Sequence, residues 1–361
     1  MTTTPRSVIG GFDTHKDTHH AAVITVTGQL LADRQFPTTV AGHRAALDWL
    51  RSFGAVDAIG IEGTGSYGAG LARFLTAQGH RVVEVNRPSR AARRLDGKSD
   101  RLDSEQAARA VLAAAADAVP KSKSGPVEVI RMLRIARSTG VKARTQTMNA
   151  LQAIIVTAPD ELRAVLGDLR KRTLITRCAR LRPETTMLTG LASDPDRLLI
   201  AGAKTALRGL AVRWQTLDAE IKQLTGQIST LVEDAAPSLT ALPGVGPEIA
   251  GQLLITAGDN PDRLRSEAAF AKLCGVAPQP ASSGKTTGRH RLSRGGDRAA
   301  NSALYLIAIT RLRRHEPTRA YVARRTAEGL SKREIIRCLK RYIAREVYAA
   351  LPTTPRRSLL A

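Results

Sequence analysis

The sequence Val8-Ile9-Gly10-Gly11-Phe12-Asp13, near the N-terminus, is an apolar run that ends on an acidic residue. Short apolar runs bounded by turn signals are typical of strands that lie buried within a sheet. Similar runs occur at 21–26, 31–36, 56–61 and 82–85, and helical patterns occur at 40–53 and 67–78. This order of elements predicts an α/β domain with a mixed sheet at the N-terminus.

The rest of the chain is predicted to be all-α, because strand patterns largely stop after Asp103. Apolar side chains between 207 and 231 alternate spacings of three and four residues, which is the pattern of a coiled-coil seam. Such a seam pairs with a second chain or packs as an antiparallel hairpin within its own chain, and we expect self-association into a dimer or tetramer. The predicted domains are the α/β domain, a helical linker with the coiled coil and a mostly helical C-terminal domain, at 1–160, 161–236 and 237–361.

The chain is strongly basic, with a formal net charge of +23 and a sequence pI near 11.0. A surface this positive favours a polyanionic partner, and we expect double-stranded DNA. Between Lys285 and Arg345, 17 Lys and Arg residues stand against 4 Asp and Glu residues, so the C-terminal domain is predicted to provide the main electrostatic contact. A membrane surface is the competing polyanion, but no apolar run reaches the roughly 18 residues that a membrane span needs.

Cysteine usage and the N-terminus indicate a reducing compartment. Cys178, Cys274 and Cys338 are odd in number and scattered, which favours neither a disulfide framework nor a cysteine-based zinc site. The residues before Val8 lack the apolar stretch of a signal peptide. We therefore expect a cytoplasmic protein.

Four acidic residues stand where a sheet and a helix would bring them together. Asp13 and Glu62 each follow an apolar strand pattern, and Asp100 and Asp103 lie three apart at the start of a helix, on one face of it. Clustered carboxylates repel one another, and hard divalent cations with oxygen ligands are the usual compensation. The set predicts a Mg²⁺ site, although each acid taken alone is also typical of a turn or a helix cap.

Two other patterns in the same region suggest different sites. The stretch Gly63-Thr64-Gly65-Ser66-Tyr67-Gly68 matches the dinucleotide-binding G-x-G-x-x-G pattern, with Glu84 near the position of a ribose-binding acid. This interpretation is disfavoured because Glu62 would face the pyrophosphate. Three histidines follow Asp13 and suggest a zinc site: His15, His19 and His20. His15 and His19 fall in the turn and strand after Asp13, which favours solvated side chains over zinc ligands.

A serine-bearing loop near the C-terminus is rich in cations. Ser282 and Ser283 lie between Pro280 and Gly284, and a serine among cations is suited to attack a phosphodiester that the cations stabilise. The alternative is a loop that binds phosphate without chemistry. The predicted nucleic-acid-binding cations are Lys285, Arg289, Arg291, Arg294 and Arg298.

A second phosphate-binding feature is predicted at Pro243-Gly244-Val245-Gly246-Pro247, just before a helix. The turn resembles the hairpin of helix-hairpin-helix modules, in which Gly244 and Gly246 would let backbone N–H groups approach DNA. An ordinary glycine turn between packed helices fits the same residues.

In chain order, these motifs resemble those of the DEDD insertion-sequence transposases of the IS110 family. They are Phe12 to Asp17, Ile61 to Tyr67, Lys98 to Asp103, Ser283-Gly284 and Arg291 to Asp297. Two residues depart from the family pattern. Arg294 stands where the family has Lys, which keeps the charge, and Asp297 stands where Asn is common.

The resemblance implies an RNase H-like (RuvC-like) N-terminal domain in which the four acids hold two Mg²⁺ ions. It also implies a C-terminal transposase domain whose serine makes a covalent link to DNA. That serine is Ser283, with Ser282 one register away. A non-coding guide RNA would choose the DNA sequence by pairing, in an oligomer acting on the nucleoid of a bacterial cytoplasm.

Two other functions fit part of the pattern. One is a RuvC-like, metal-dependent, structure-specific endonuclease that uses water and no serine chemistry. The other is an architectural nucleic-acid binder that has the fold but no chemistry.

Overall fold

A five-stranded mixed sheet forms the N-terminal part of the computed structural model, which describes residues 7–86, 99–184, 194–260, 263–280, 290–293 and 295–352. The strand order is β3-β2-β1-β4-β5, with β1, β2 and β3 antiparallel and β4 and β5 parallel to β1. The predicted mixed sheet is confirmed. Its strands are β1 (Ser7–Thr14), β2 (Thr18–Thr25), β3 (Leu30–Pro37), β4 (Ala55–Glu62) and β5 (Val82–Val85).

Helices cover both faces of this sheet. The helices of the N-terminal part are α1 (Val40–Arg51), α2 (Ala69–Ala77) and α3 (Asp100–Leu112). Val8 and Phe12 of β1 pack in one core cluster with residues of α1 and α2, whereas Ile9 packs in another with residues of α3. Burial on both faces explains why β1 is a continuous apolar run and not an alternating one.

The face that carries α3 is built from small residues on both sides of the contact. A Cβ at Gly11 of β1 would lie 2.2 Å from the Ser104 carbonyl oxygen, and one at Gly60 of β4 would lie 2.5 Å from that of Ala107. Ser104, Ala107 and Ala108 of α3 are all buried there. The helix backbone therefore lies directly on the strand backbones, which no residue with a side chain at these positions would allow.

The remaining helices divide between two compact units. One unit contains 1–128, 242–244 and 252–361, and the other contains 129–241 and 245–251. The predicted boundaries at 160 and 236 do not coincide with these units and remain a prediction. The helices are α4 (Pro126–Thr157), α5 (Asp160–Leu166), α6 (Lys171–Ala179), α7 (Pro195–Ala235), α8 (Pro237–Thr240), α9 (Pro247–Ala257), α10 (Glu267–Leu273), α11 (Arg298–Arg314), α12 (Glu316–Ala327) and α13 (Lys332–Ala350).

In the second unit, α7 packs along α4 as an antiparallel partner within the same chain. Arg137 of α4 donates to Thr225 of α7 at 2.7 Å, and Arg144, further along α4, pairs with Asp218, which is earlier in α7. Part of the predicted seam, including Ile221, is buried in this packing. The seam thus has an intramolecular partner, and its role in self-association stays a prediction.

Within the first unit, the segment after α3 is held to the C-terminal residues by hydrogen bonds. Lys121 Nζ donates to the Ile255 carbonyl at 2.6 Å, and Asn260 Nδ2 donates to that of Pro120 at 2.9 Å. A short hairpin of β6 (Pro278–Pro280) and β7 (His290–Leu292) precedes α11. In the part of the chain that the structure describes, no helix has both the length and the apolar character needed to cross a membrane.

The close contact between the α3 backbone and Gly11 predicts the effect of adding a side chain there. We expect Gly11→Ala to lower the free energy of unfolding of the N-terminal sheet by about 1–3 kcal/mol, because the added methyl group overlaps the α3 backbone. The matched control is Gly65→Ala, where a Cβ would meet no atom within 4 Å and the change should stay within about 0.5 kcal/mol. Urea unfolding of the full chain measures both, and equal stabilities for the two variants would contradict the tight contact.

Candidate active site

Two of the predicted acids lie side by side at the ends of the central parallel strands. Asp13 and Glu62 are 7% and 5% exposed, at the ends of β1 and β4. The Thr14 hydroxyl donates to the Glu62 carbonyl at 2.8 Å, which ties the two strand ends together. Glu62 is followed by Gly63, which has φ +73° and whose Cβ would lie 2.9 Å from Thr14 Oγ1. The glycine pattern thus has a local structural cause: the chain must turn sharply beside Thr14.

Helix α3 brings the other two acids to the same edge of the sheet. Ser99 caps the helix by accepting from the Leu102 amide at 3.2 Å, so Asp100 and Asp103 both fall in its first turn. Arg101 in the same turn lies 3.2 Å from one carboxylate oxygen of Asp33 on β3. These contacts fix the start of α3 against the sheet.

Two of the four predicted carboxylates, those of Asp13 and Asp100, meet at His15 by the end of β1. His15 Nε2 lies 3.1 Å from Asp13 Oδ2 and 3.3 Å from Asp100 Oδ1, so the histidine joins these two acids. Glu62 and Asp103 line one cavity of about 280 Å³ beside them. Burial raises the pKa of the Asp13 carboxyl; His15 opposes the rise, and the charges of Asp103 and Asp100 add to it.

This arrangement fits a divalent cation. Ligand atoms of Asp13, His15 and Asp100 all lie within 4.8 Å of one another. A buried carboxylate whose neighbours disfavour its charge is stabilised by a cation that takes oxygen ligands. The donors present, carboxylate oxygens and one imidazole nitrogen, are those that bind Mg²⁺ or a first-row transition metal.

The three histidines after Asp13 have three different environments. His15 lies within the acidic cluster, and His20 Nε2 lies 2.9 Å from Asp33 Oδ2. His19 is buried, and its ring stacks on that of His43 with 5.5 Å between centroids. Burial is the main cause that lowers the pKa of His19 to about 4, so its ring is neutral at physiological pH. The expectation of solvated side chains is therefore wrong for His19.

A second, basic site lies beside the β6–β7 hairpin. A cavity of about 610 Å³ is lined by Arg291 of β7 and by one face of α13. Its cations outnumber the single lining carboxylate, that of Glu334. On its wall, Arg345 lies 3.4 Å from Glu267, and Arg341 also pairs with that carboxylate. The lining arginines are Arg291, Arg337, Arg341 and Arg345.

Comparison with known proteins identifies the family. Residues 10–158 match a family model described as a transposase, of the DEDD type of IS110, and residues 236–323 match one described as "Transposase IS116/IS110/IS902 family". The chain belongs to the IS110 family of insertion-element transposases. This transposase is accordingly a DNA-binding, DNA-processing enzyme, and its DEDD domain indicates dependence on a divalent metal.

Two relatives of the transposase match nearly its whole length, and a third matches about half of it. It is 25% identical to the insertion element IS110 uncharacterized 43.6 kDa protein of Streptomyces coelicolor, over 94% of this chain and 93% of that protein. It is 24% identical to the insertion element IS116 uncharacterized 44.8 kDa protein of Streptomyces clavuligerus, over 92% and 91%. With the insertion element IS900 uncharacterized 42 kDa protein of Mycobacterium paratuberculosis it shares 28% identity over 54% of this chain and 50% of the other.

Much of the transposase's predicted serine region lies outside the described residues. This applies to the serines Ser282 and Ser283 and to the cations Lys285, Arg289 and Arg294. The hairpin strands on either side are described and pair Gln279 with Arg291.

In the transposase, Asp297, which stands where Asn is common in the family, has a structural role. Asp297 caps α11 by accepting from the Ala299 and Ala300 amides at 2.8 and 3.2 Å, and it accepts the Thr256 hydroxyl at 2.6 Å. Asn and Asp are equivalent helix caps, so the substitution preserves this function. Arg298, the first residue of α11, is exposed.

The glycine turn at 243–247 is anchored in the transposase by a buried cation. Arg311 Nε of α11 donates to the Pro243 carbonyl at 2.8 Å, and Gly244 has φ +78°. At Gly246 a Cβ would meet no atom within 4 Å. Gly244 is thus required by the backbone, while a nucleic-acid role for either glycine stays a prediction.

Sequence reasoning set His15 aside as a solvated side chain and did not single out the arginines of α13. His15 is two residues from Asp13, and residues two apart on an extended strand point to the same side, which was the available signal. Arg337, Arg341 and Arg345 are spaced by four, so a helix places them on one face. That spacing was hidden within a generally basic segment.

Proposed function

We propose that this transposase cuts and rejoins DNA at its insertion element through a Mg²⁺ centre of four acids and a serine nucleophile. The observation that supports the proposal most is the meeting of acids from β1, β4 and α3 at one edge of the sheet, in a chain of the DEDD family. The acids that would hold two Mg²⁺ ions are Asp13, Glu62, Asp100 and Asp103.

The two pairs of acids have different parts in this proposal. Mg²⁺, when bound, neutralises charge on a phosphate and stabilises the oxygens that attack and leave. Asp13 and Glu62 are buried at the strand ends, so they would hold the ion from the sheet. Asp100 and Asp103 lie in the capped first turn of α3, so they would hold it from the helix.

The serine step conserves the energy of the DNA backbone. The Ser283 hydroxyl oxygen would bond to phosphorus while the bond from phosphorus to one deoxyribose oxygen breaks. The serine proton passes to a base, and the departing deoxyribose oxygen takes up a proton. The resulting phosphoserine diester allows a second deoxyribose hydroxyl to reverse the step on another strand. Ser282 is the alternative nucleophile.

The arginine-lined cavity is proposed to bind nucleic-acid backbone near the β6–β7 hairpin. Guanidinium groups bind phosphate through paired hydrogen bonds, and Arg291 connects the cavity to the hairpin strand. The low aromatic content of 3% fits contact with the backbone more than stacking on bases. The proposed partners are double-stranded DNA and a non-coding guide RNA that supplies sequence choice by pairing.

Self-association is part of the same proposal. Apolar residues of α7 that are only partly buried within the chain, such as Leu217 and Leu224, offer a surface for a second copy. In a dimer or tetramer, one subunit's acids would act on a phosphate that meets another subunit's serine.

The acid centre predicts a selective loss of chemistry. We expect Asp13→Asn and Glu62→Gln each to lower the rate of strand cleavage in Mg²⁺ by at least about a hundredfold, because charge stabilisation at the phosphate is lost. DNA affinity should be unchanged. Asp57→Asn, an exposed acid of the same strand as Glu62, is the control and should keep full activity. Full cleavage by both site variants would refute a catalytic metal centre built on these acids, whereas wild-type protein that binds DNA without cleaving it would favour an architectural binder.

The serine predicts a covalent intermediate. Denaturing gels of wild-type protein with labelled element DNA should show a protein–DNA adduct that Ser283→Ala, or the Ser282→Ala/Ser283→Ala pair, abolishes. Ser293→Ala should retain the adduct. Cleavage that proceeds at the wild-type rate in the double variant would instead assign the chain to the nucleases that use water.

The basic cavity predicts a matched pair of arginine variants. We expect Arg337→Gln to weaken DNA binding and to reduce the slope of log affinity against log salt by about one, because one phosphate contact is lost. Arg333→Gln lies on an exposed face of the same helix, away from the cavity lining, and should leave the slope unchanged. Identical salt slopes for the two variants would show that the cavity is not a backbone-binding site.

A further inference from the structure

We propose that His15 is a direct ligand of the catalytic divalent ion, so that this centre combines an imidazole nitrogen with the carboxylate oxygens. The inference rests on the proposed function of the four acids as metal ligands and adds a fifth residue to them. A histidine ligand would distinguish this site from one made of carboxylates alone.

The positions of the ligand atoms carry the proposal. His15 Nε2 lies 3.1 Å from Asp13 Oδ2 and 3.3 Å from Asp100 Oδ1. In an octahedral ion with ligand distances of about 2.0–2.1 Å, adjacent ligand atoms lie about 3 Å apart. The nitrogen therefore has the separation from both carboxylates that a neighbouring position in one coordination sphere requires.

Local structure directs His15, and not its neighbours, toward the acids. The His15 amide donates to the Thr18 carbonyl at 3.0 Å in the turn between β1 and β2. His20, paired across the strands with Asp13, contacts Asp33 instead, and His19 stacks on His43. Of the three histidines that follow Asp13, the one at the cluster is thus the one at the strand end.

Exposure of His15 matches a ligand of a substrate-facing ion. Its side chain is 43% exposed and that of Asp100 is 46% exposed, whereas that of Asp13 is 10% exposed. An ion held between them would be anchored on the buried side and open on the other. A neutral imidazole would also add a ligand without adding negative charge to the carboxylates of the site.

A nitrogen ligand changes the metal preference of the site. Imidazole binds first-row transition metals more readily than it binds Mg²⁺, whose preferred ligands are oxygens. The centre should therefore favour Mn²⁺ or Co²⁺ over Mg²⁺ by more than the same centre with an oxygen donor at position 15.

Electron spin echo spectroscopy of bound Mn²⁺ tests the proposal directly. With less than one equivalent of Mn²⁺ added to the full chain, we expect nitrogen modulation typical of a coordinated imidazole. His15→Gln, which keeps a hydrogen-bond donor, should abolish this modulation and weaken Mn²⁺ binding by at least about tenfold. His80→Gln removes a histidine that contacts Arg51 and should leave the spectrum unchanged.

Two contrary results are distinguishable. Bound Mn²⁺ that is lost in Asp13→Asn but shows no nitrogen modulation in the wild type would overturn the role of His15 and leave the acid centre intact. Wild-type protein that binds no Mn²⁺ would overturn both proposals. The wild-type spectrum alone decides the role of His15, so that part of the test does not depend on the folding of any variant.

Discussion

The contact between the backbone of α3 and the glycines of β1 and β4 is the constraint on which the acid centre depends. Gly11 and Gly60 leave no room for a side chain beneath Ser104 and Ala107. Two unit charges about 4 Å apart repel by about 4 kcal/mol at an effective dielectric of about 20, so carboxylates do not gather unaided. Packing of the helix on the sheet holds Asp100 and Asp103 close to the strand-end acids, and a divalent ion would then relieve the repulsion.

Contacts on several other elements also hold the acids in place. Thr14 joins the two strand ends, Ser99 fixes where α3 begins, and Arg101 joins its first turn to Asp33. Each is a weak interaction taken singly, but together they hold the strand ends and the first turn of α3 that carry the acids. The centre is therefore preorganised by neutral packing and hydrogen bonds, with cations around its edge. A site arranged in this way before binding needs the least rearrangement of its side chains when an ion binds.

The sequence was sufficient to predict the sheet and to place the four acids at the ends of strands and the start of a helix, because each depends on local pattern. Strands buried on both faces are continuous apolar runs, and the acids stand where those runs end. The close contact of α3 with the sheet could not be predicted from the sequence, because it depends on which glycine meets which carbonyl in space. The seam on α7 specified an apolar face but no partner, and α4 is a partner that only the fold reveals. His19 was misjudged because its burial depends on His43, far away in sequence.

Anomalous diffraction from crystals grown with Mn²⁺ would locate the ion relative to the acids. We expect anomalous density enclosed by the side chains of Asp13, Glu62, Asp100 and Asp103, with α3 packed on the two glycines. Crystals saturated with Mn²⁺ that show these carboxylates apart, and the ion elsewhere or absent, would contradict this expectation.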